Sequence, residues 1–294
     1  MIRNFRQMLT ERQKEIQSLV CVGLDPISEK MPECIKGKSL KDNWQSVETW
    51  MSKIIDATAE YTSLFKPQRA HYEAIVGGEK ALQGIVSYIH KHYPKIPVFL
   101  DCKRGDIGRT QQRYRIAHFD IDGVDGMNFS PYMGKDCMEY LIDKENLGKA
   151  IVGLCYTSNP AAREVQDIRL KDGRRYWEFI AWKTMEWAED LEIIDNAGLV
   201  MAAAYERSKG SGDIFSEHLS RVRDIVKSKM WFLIPGIGTQ GGFIKQTVKS
   251  AYVGSGSTAI NSSSGIIFAS QDSDFAEAAA VKAKELRDQI NQYI

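Results

Sequence analysis

The chain has 294 residues, 43% hydrophobic and 26% charged, an ordinary balance for a globular protein that gives disorder or low complexity no support. With 39 Lys plus Arg against 38 Asp plus Glu, the formal net charge is +1, so no global field draws nucleic acid or an acidic membrane, and any anion must be bound locally. Five scattered cysteines without a CxxC pair (Cys21, Cys34, Cys102, Cys137, Cys155), a charged N-terminus lacking an apolar signal core, and no apolar run near the ~20 residues of a membrane span point to a reduced, cytoplasmic protein.

In chain order, residues 2–17 predict an extra N-terminal helix closing the floor of the fold. Short apolar, β-branched runs then predict strands over 19–24, 63–66, 98–103, 126–129, 150–156, 199–204, 231–235 and 258–262. Between and after them, 44–60, 79–91, 176–191 and 275–293 carry apolar residues at helical spacing, and the stretch after Tyr156 has length for one more helix. Trp182 and Trp187 read as core, and 208–213 and 254–257 as flexible polar loops, with 262–265 polar too. Several strands are apolar on both faces, as expected of a parallel sheet covered by helices. No linker divides the chain, so the prediction is a single-domain (β/α)8 TIM barrel over residues 1–294.

Such barrels place chemistry at the carboxyl ends of the strands. The third predicted strand ends in PVFLDCKRGDIGRT, with Asp101, Lys103 and Asp106 within six residues. Asp101 and Lys103, two apart, share one side of an extended strand, which predicts a buried Asp–Lys pair. Taken alone, Asp-x-Lys is equally a surface ion pair of ~0–1 kcal/mol. Its position directly after an apolar run, and Lys66 at the end of the preceding strand, favour a convergent charge array kept for function. The five histidines are too dispersed to suggest a metal site.

DCKRGDI, together with GLDP at 23–26, FKPQ at 65–68, SPYMG at 130–134, YTSNP at 156–160 and LIPGIGTQGG at 233–242, resembles the orotidine 5'-monophosphate decarboxylase family, in its longer second type. The resemblance runs in order from about Val20 to Ala269. It implies decarboxylation of orotidine 5'-monophosphate to uridine 5'-monophosphate with neither metal nor organic cofactor, in a homodimer with shared active sites. Lys103 would then stabilise and protonate the carbanion, and Asp101 would stand beside the substrate carboxylate, either repelling it or orienting Lys103. Asp106 and Thr110 would reach the site of the partner subunit. Lys66 and Asp25 would bind the ribose, although Asp25 before Pro26 is also a natural turn residue. Ser158 and Asn159 would meet the pyrimidine edge, although Ser-Asn-Pro is equally a good turn. Gly238, Gln240 and Gly241 would receive the phosphate, where glycines let backbone N–H groups approach an anion.

Two departures stand out. The family usually has an arginine after the eighth strand, in a run like Asn-Ser-Ser-Arg, that grips the phosphate; here Ser264 occupies that place, which predicts weakened phosphate binding. Three accounts compete: an engineered substitution, natural replacement by another cation, or a degenerate pseudoenzyme. The intact carbanion-facing residues favour the first. Met201-Ala202-Ala203-Ala204 replaces a more glycine-rich run and reads as packing variation. The alternatives to a decarboxylase of this nucleotide are a sugar-phosphate decarboxylase or synthase of the same superfamily, which uses magnesium and a carboxylate where this chain has Lys66, and a non-catalytic nucleotide-binding barrel.

Overall fold

A computed structural model describes residues 3–36, 43–144, 147–208, 210–237 and 243–294. Eight parallel strands form the barrel: β1 (Val20–Leu24), β2 (Leu64–Pro67), β3 (Phe99–Arg104), β4 (Gly126–Phe129), β5 (Ala150–Tyr156), β6 (Ala197–Met201), β9 (Trp231–Ile234) and β10 (Thr258–Ser262). A small antiparallel hairpin, β7 (Tyr205–Glu206) with β8 (Ile214–Phe215), stands on the loop after β6. The order β2-β1-β10-β9-β6-β5-β4-β3 runs through ladders of three or more paired residues at every neighbouring pair. Closure between β2 and β3 rests instead on two isolated bridges, Phe65 with Val98 and Gln68 with Asp101.

Helices cover the outside, among them Asn43–Thr58, Gly78–His92, Tyr176–Asp190, Glu217–Val226 and Phe275–Asn291. Val47, Trp50, Met51, Ile54 and Ile55 of the first of these are fully buried, as the apolar stripe of an outer barrel helix should be. Burying such stripes on a sheet that is itself apolar on both faces is what drives closure.

The helix Phe5–Ile16 lies across the amino ends of the strands. Its Phe5 and Leu9 join Phe99, Ala150, Trp231 and Leu64 in a buried cluster, with the rings of Phe5 and Trp231 5.0 Å apart. Gln13 ties the floor from the same helix, donating to the Thr258 carbonyl at 2.8 Å and accepting from the Gly256 amide at 2.7 Å.

Two expectations need correction. The sixth barrel strand ends at Met201, not at residue 204, because the amides of Ala202, Ala203 and Ala204 leave the ladder for three different acceptors: the Tyr156 carbonyl, the Pro235 carbonyl and the Thr247 hydroxyl. Ser262 completes β10, as expected, and within the polar run that follows Ser264 opens a four-residue helix. Trp182 is only partly buried, with the guanidinium of Arg174 5.1 Å and the ammonium of Lys183 4.8 Å from its ring, whereas Trp187 does lie in the core.

Candidate active site

The carboxyl ends of β1, β2 and β3 bring Asp25, Lys66, Asp101 and Lys103 together. Lys66 is almost completely buried, with Nζ 3.5 Å from Asp101 and 3.8 Å from Asp25. Burial alone would lower its pKa, but the two carboxylates outweigh that and hold it above the ordinary lysine value. Asp101 is desolvated too, which would raise its pKa; Lys66 and Lys103 reverse the sign and bring it down to about 2. Both groups are therefore charged at neutral pH.

Lys103 meets Asp101 at 2.6 Å, but not by lying beside it on a regular strand. Its φ is +48°, in the left-handed region that costs non-glycine residues energy, and the pairing of β3 with β4 shifts register between Leu100 and Arg104. The expected buried Asp–Lys pair is thus corrected: Lys103 is 46% exposed, and the buried partner of Asp101 is Lys66. With this distortion the Lys103 ammonium is left half-exposed while it stays on the carboxylate.

Asn128 on β4, which the sequence reading missed, supports this kink. It is buried, donates to Asp101 Oδ1 at 2.7 Å, and with its own side-chain oxygen accepts the amides of Cys102 at 2.9 Å and Lys103 at 2.6 Å.

A cavity of about 200 Å³ is lined by Asp25, Lys66, Asp101, Ser158, Asn261 and Ser264, among others. A second, of about 480 Å³, shares Ser158 and Gly236 with it and extends past Asn159 and Tyr205. Asp25 Oδ1 and Ser263 Oγ are buried without a hydrogen-bond partner among the described residues, so the cavity presents acceptor and hydroxyl capacity to whatever fills it. Asn159 accepts from Thr157 at 2.7 Å, and Thr157 is held in turn by Gln166, so this loop is built and not merely polar. Ser264 is exposed at the rim. The adjacent Ser263 packs so close to Gly23 that a Cβ there would lie 2.5 Å from the serine Cβ.

Asp106 and Thr110 do not join the cluster in one chain. Asp106 Oδ1 accepts the Ile107 amide at 2.8 Å, and Thr110 is exposed on the helix Gly108–Arg115. Gly238, Gln240 and Gly241 lie outside the described residues. Among the described residues, no group of three or more His, Cys, Asp or Glu side chains is placed to hold a metal ion.

A closed parallel barrel that gathers two lysines and two aspartates at the carboxyl ends of its first three strands belongs to the class of (β/α)8-barrel enzymes. A family model described as "Orotidine 5'-phosphate decarboxylase / HUMPS family" matches residues 18–279, and the chain belongs to that family. It is 39% identical over 292 residues to the "Orotidine 5'-phosphate decarboxylase" of Ralstonia nicotianae, covering 98% of each chain. Among solved structures it is similar to the OMP decarboxylase of Leishmania donovani, with 29% identity, a TM-score of 0.76 and coverage of 99% of this chain and 98% of that one. It is also similar to the UMP synthase of Leishmania donovani, with 30% identity and a TM-score of 0.78, and covers 99% of this chain but spans only 56% of that longer chain.

Proposed function

We propose that this protein decarboxylates orotidine 5'-monophosphate to uridine 5'-monophosphate, the decarboxylase step of pyrimidine biosynthesis. The observation that carries the reading is the alternating array Asp25, Lys66, Asp101, Lys103, in which Asp101 is gripped by an ammonium on either side.

In this mechanism the carbon–carbon bond to the substrate carboxylate breaks, CO2 leaves, and its electron pair stays on the pyrimidine carbon. The Lys103 ammonium lies where that charge develops and delivers a proton to the carbon. Charge placed in advance costs no reorganisation as the carbanion forms, and this is where most of the catalytic advantage arises. Asp101 stands beside the substrate carboxylate and holds Lys103 by its 2.6 Å contact. Lys66 and the unsatisfied oxygen of Asp25 take the ribose hydroxyls, Ser158 and Asn159 the pyrimidine edge, and Gly238, Gln240 and Gly241 the phosphate, with Ser264 at the rim giving a weaker phosphate grip than an arginine would.

The active unit in this reading is a cytoplasmic homodimer working without cofactor, with Asp106 and Thr110 completing the partner's site. Support comes from the position of Asp106 beside exposed Ile107, with exposed Tyr132 and Met133 on the next strand's loop, an apolar surface suited to a second copy.

The test follows loss of orotidine 5'-monophosphate absorbance in EDTA. Turnover by this chain and its loss in Lys103→Ala are expected; a protein inert at saturating substrate overturns the reading. Mixing Lys103→Ala with Asp106→Ala should restore turnover if sites are shared between subunits.

A further inference from the structure

The seam between β2 and β3 is where the barrel has the fewest backbone ties, yet Lys66 stands on one side of it and Asp101 and Lys103 on the other. Two isolated bridges cross it in the backbone. A closed ring of side chains crosses just above. Arg69, three residues beyond Lys66, donates to Asp122 at 2.8 Å. The same Asp122 oxygen meets His118 Nδ1 at 2.9 Å. His118 Nε2 accepts from Arg104 Nε at 3.1 Å, and Arg104, the residue after Lys103, also donates to Glu73 at 2.8 Å. Glu73 closes the circle by accepting from Arg69 at 3.1 Å.

We propose that this ring is the clasp of the β2/β3 seam, and that His118 is a positioning residue that keeps Lys66, Asp101 and Lys103 in working register. The inference rests on the decarboxylase reading and deepens it.

Three observations support the role. His118 is buried inside a π-helical segment, Ile116–Ile121, a local widening of helix geometry common at functional sites. Both of its ring nitrogens are used, and their partners dictate the tautomer. An arginine Nε can only donate, so His118 Nε2 must accept and Nδ1 must carry the hydrogen given to Asp122. The ring is therefore complete only with neutral histidine, in which state two guanidinium groups face two carboxylates. Finally, Arg104 is tied to the mouth by its own backbone, since its carbonyl accepts the Ser130 amide at 2.7 Å directly after the Lys103 kink.

The charged groups facing the imidazole are Asp122 from its own segment, Arg104 from β3 and Arg69 from the helix after β2, with Glu73 one step beyond and the Tyr114 ring stacked 6.3 Å away. Burial lowers the pKa of His118 and the two arginines add to that, while Asp122 opposes it, so the neutral form prevails at neutral pH. Protonation in acid sets an N–H against the Arg104 N–H and opens the ring.

The experiment measures kcat and KM for orotidine 5'-monophosphate across pH for the natural chain, His118→Ala, His118→Gln and Glu73→Ala, with melting temperature recorded for each. Displacement of a catalytic group by about 1 Å is felt mainly in kcat, so His118→Ala should lose about tenfold or more in kcat with KM little changed. His118→Gln, which can still donate and accept but cannot take a proton, should recover most of the rate at neutral pH. Its rate relative to the natural chain should rise as pH falls. Glu73→Ala, altered at the half-exposed edge of the ring where folding is least at risk, should lower kcat severalfold, and it decides the matter if His118→Ala does not fold. A kcat within twofold of the natural chain in the folded variants, or a glutamine variant as impaired as the alanine one, overturns the positioning role. Absence of turnover in the natural chain overturns the decarboxylase reading instead.

Discussion

Asn128 and Asp101 meet at 2.7 Å across the β3/β4 boundary, and the same asparagine accepts the backbone amides of Cys102 and Lys103. One uncharged side chain thus sets both the direction of the carboxylate and the backbone kink of the lysine beside it. Asn128→Ala would strip a hydrogen bond from Asp101 and leave two amides without their acceptor. The expected outcome is a loss of about 1–3 kcal/mol in unfolding free energy, read by urea titration. Turnover should fall about a hundredfold, because the backbone that sets Lys103 against Asp101 is no longer held.

Ser264 offers a hydroxyl at the rim where the family resemblance implies a guanidinium. Hydrogen bonds to a charged group contribute roughly 1.5–3 kcal/mol, so Ser264→Arg should tighten binding of uridine 5'-monophosphate about ten- to hundredfold. Titration calorimetry of the two proteins checks this. Unchanged affinity would show that this position does not face the phosphate.

His218 predicts how the fold responds to acid. It is fully buried behind the second cavity among Tyr156, Tyr205 and Phe215, and Nε2 faces the Ala202 carbonyl at 2.8 Å. Burial pushes its pKa down to about 4. Because the unfolded chain binds this proton near pH 6.5 and the folded chain does not until about pH 4, stability is full above pH 6.5 and declines as pH falls between those values. The loss attributable to this one group is on the order of 3 kcal/mol. Urea midpoints at pH 7 and pH 4.5 should differ more for the natural chain than for His218→Gln.

Phe5→Ala would open a cavity in the floor cluster that Phe5 builds with Phe99 and Trp231. Truncating a buried phenylalanine costs about 3–5 kcal/mol, so the melting transition should drop sharply. The folded fraction should turn over at the natural rate, since the floor and the mouth are opposite ends of the barrel. A rate loss without a stability loss would contradict this division.

The convergence of Lys66, Asp101 and Lys103 could be read from the chain because each follows an apolar strand run, and barrel strands deliver their carboxyl ends to one face. The geometry of that meeting could not. The sequence GMNF at β4 is one more short apolar strand until the register of β4 against β3 places Asn128 under the Lys103 amide. The left-handed backbone at Lys103 arises from that cross-strand contact, and local propensity argues against it. The ring through His118 joins residues up to 53 apart and depends on a π-helical turn that apolar periodicity does not signal. The short helix at Ser264 escaped for a related reason: four residues that open on a Ser-Gly pair are too few to show an apolar period.

The anchoring of Arg3 and Phe5 has a practical side. Arg3 grips Asp125 through two nitrogens at 2.7 Å, and the Phe5 amide is bonded to the Gly148 carbonyl at 2.8 Å, all on the floor side. Anything joined ahead of Arg3, whether an affinity handle, a fluorescent reporter or a second enzyme, would leave from the far end of the barrel. Tethering from this end would point the mouth toward solvent, and an immobilised or fused form should keep its access to substrate.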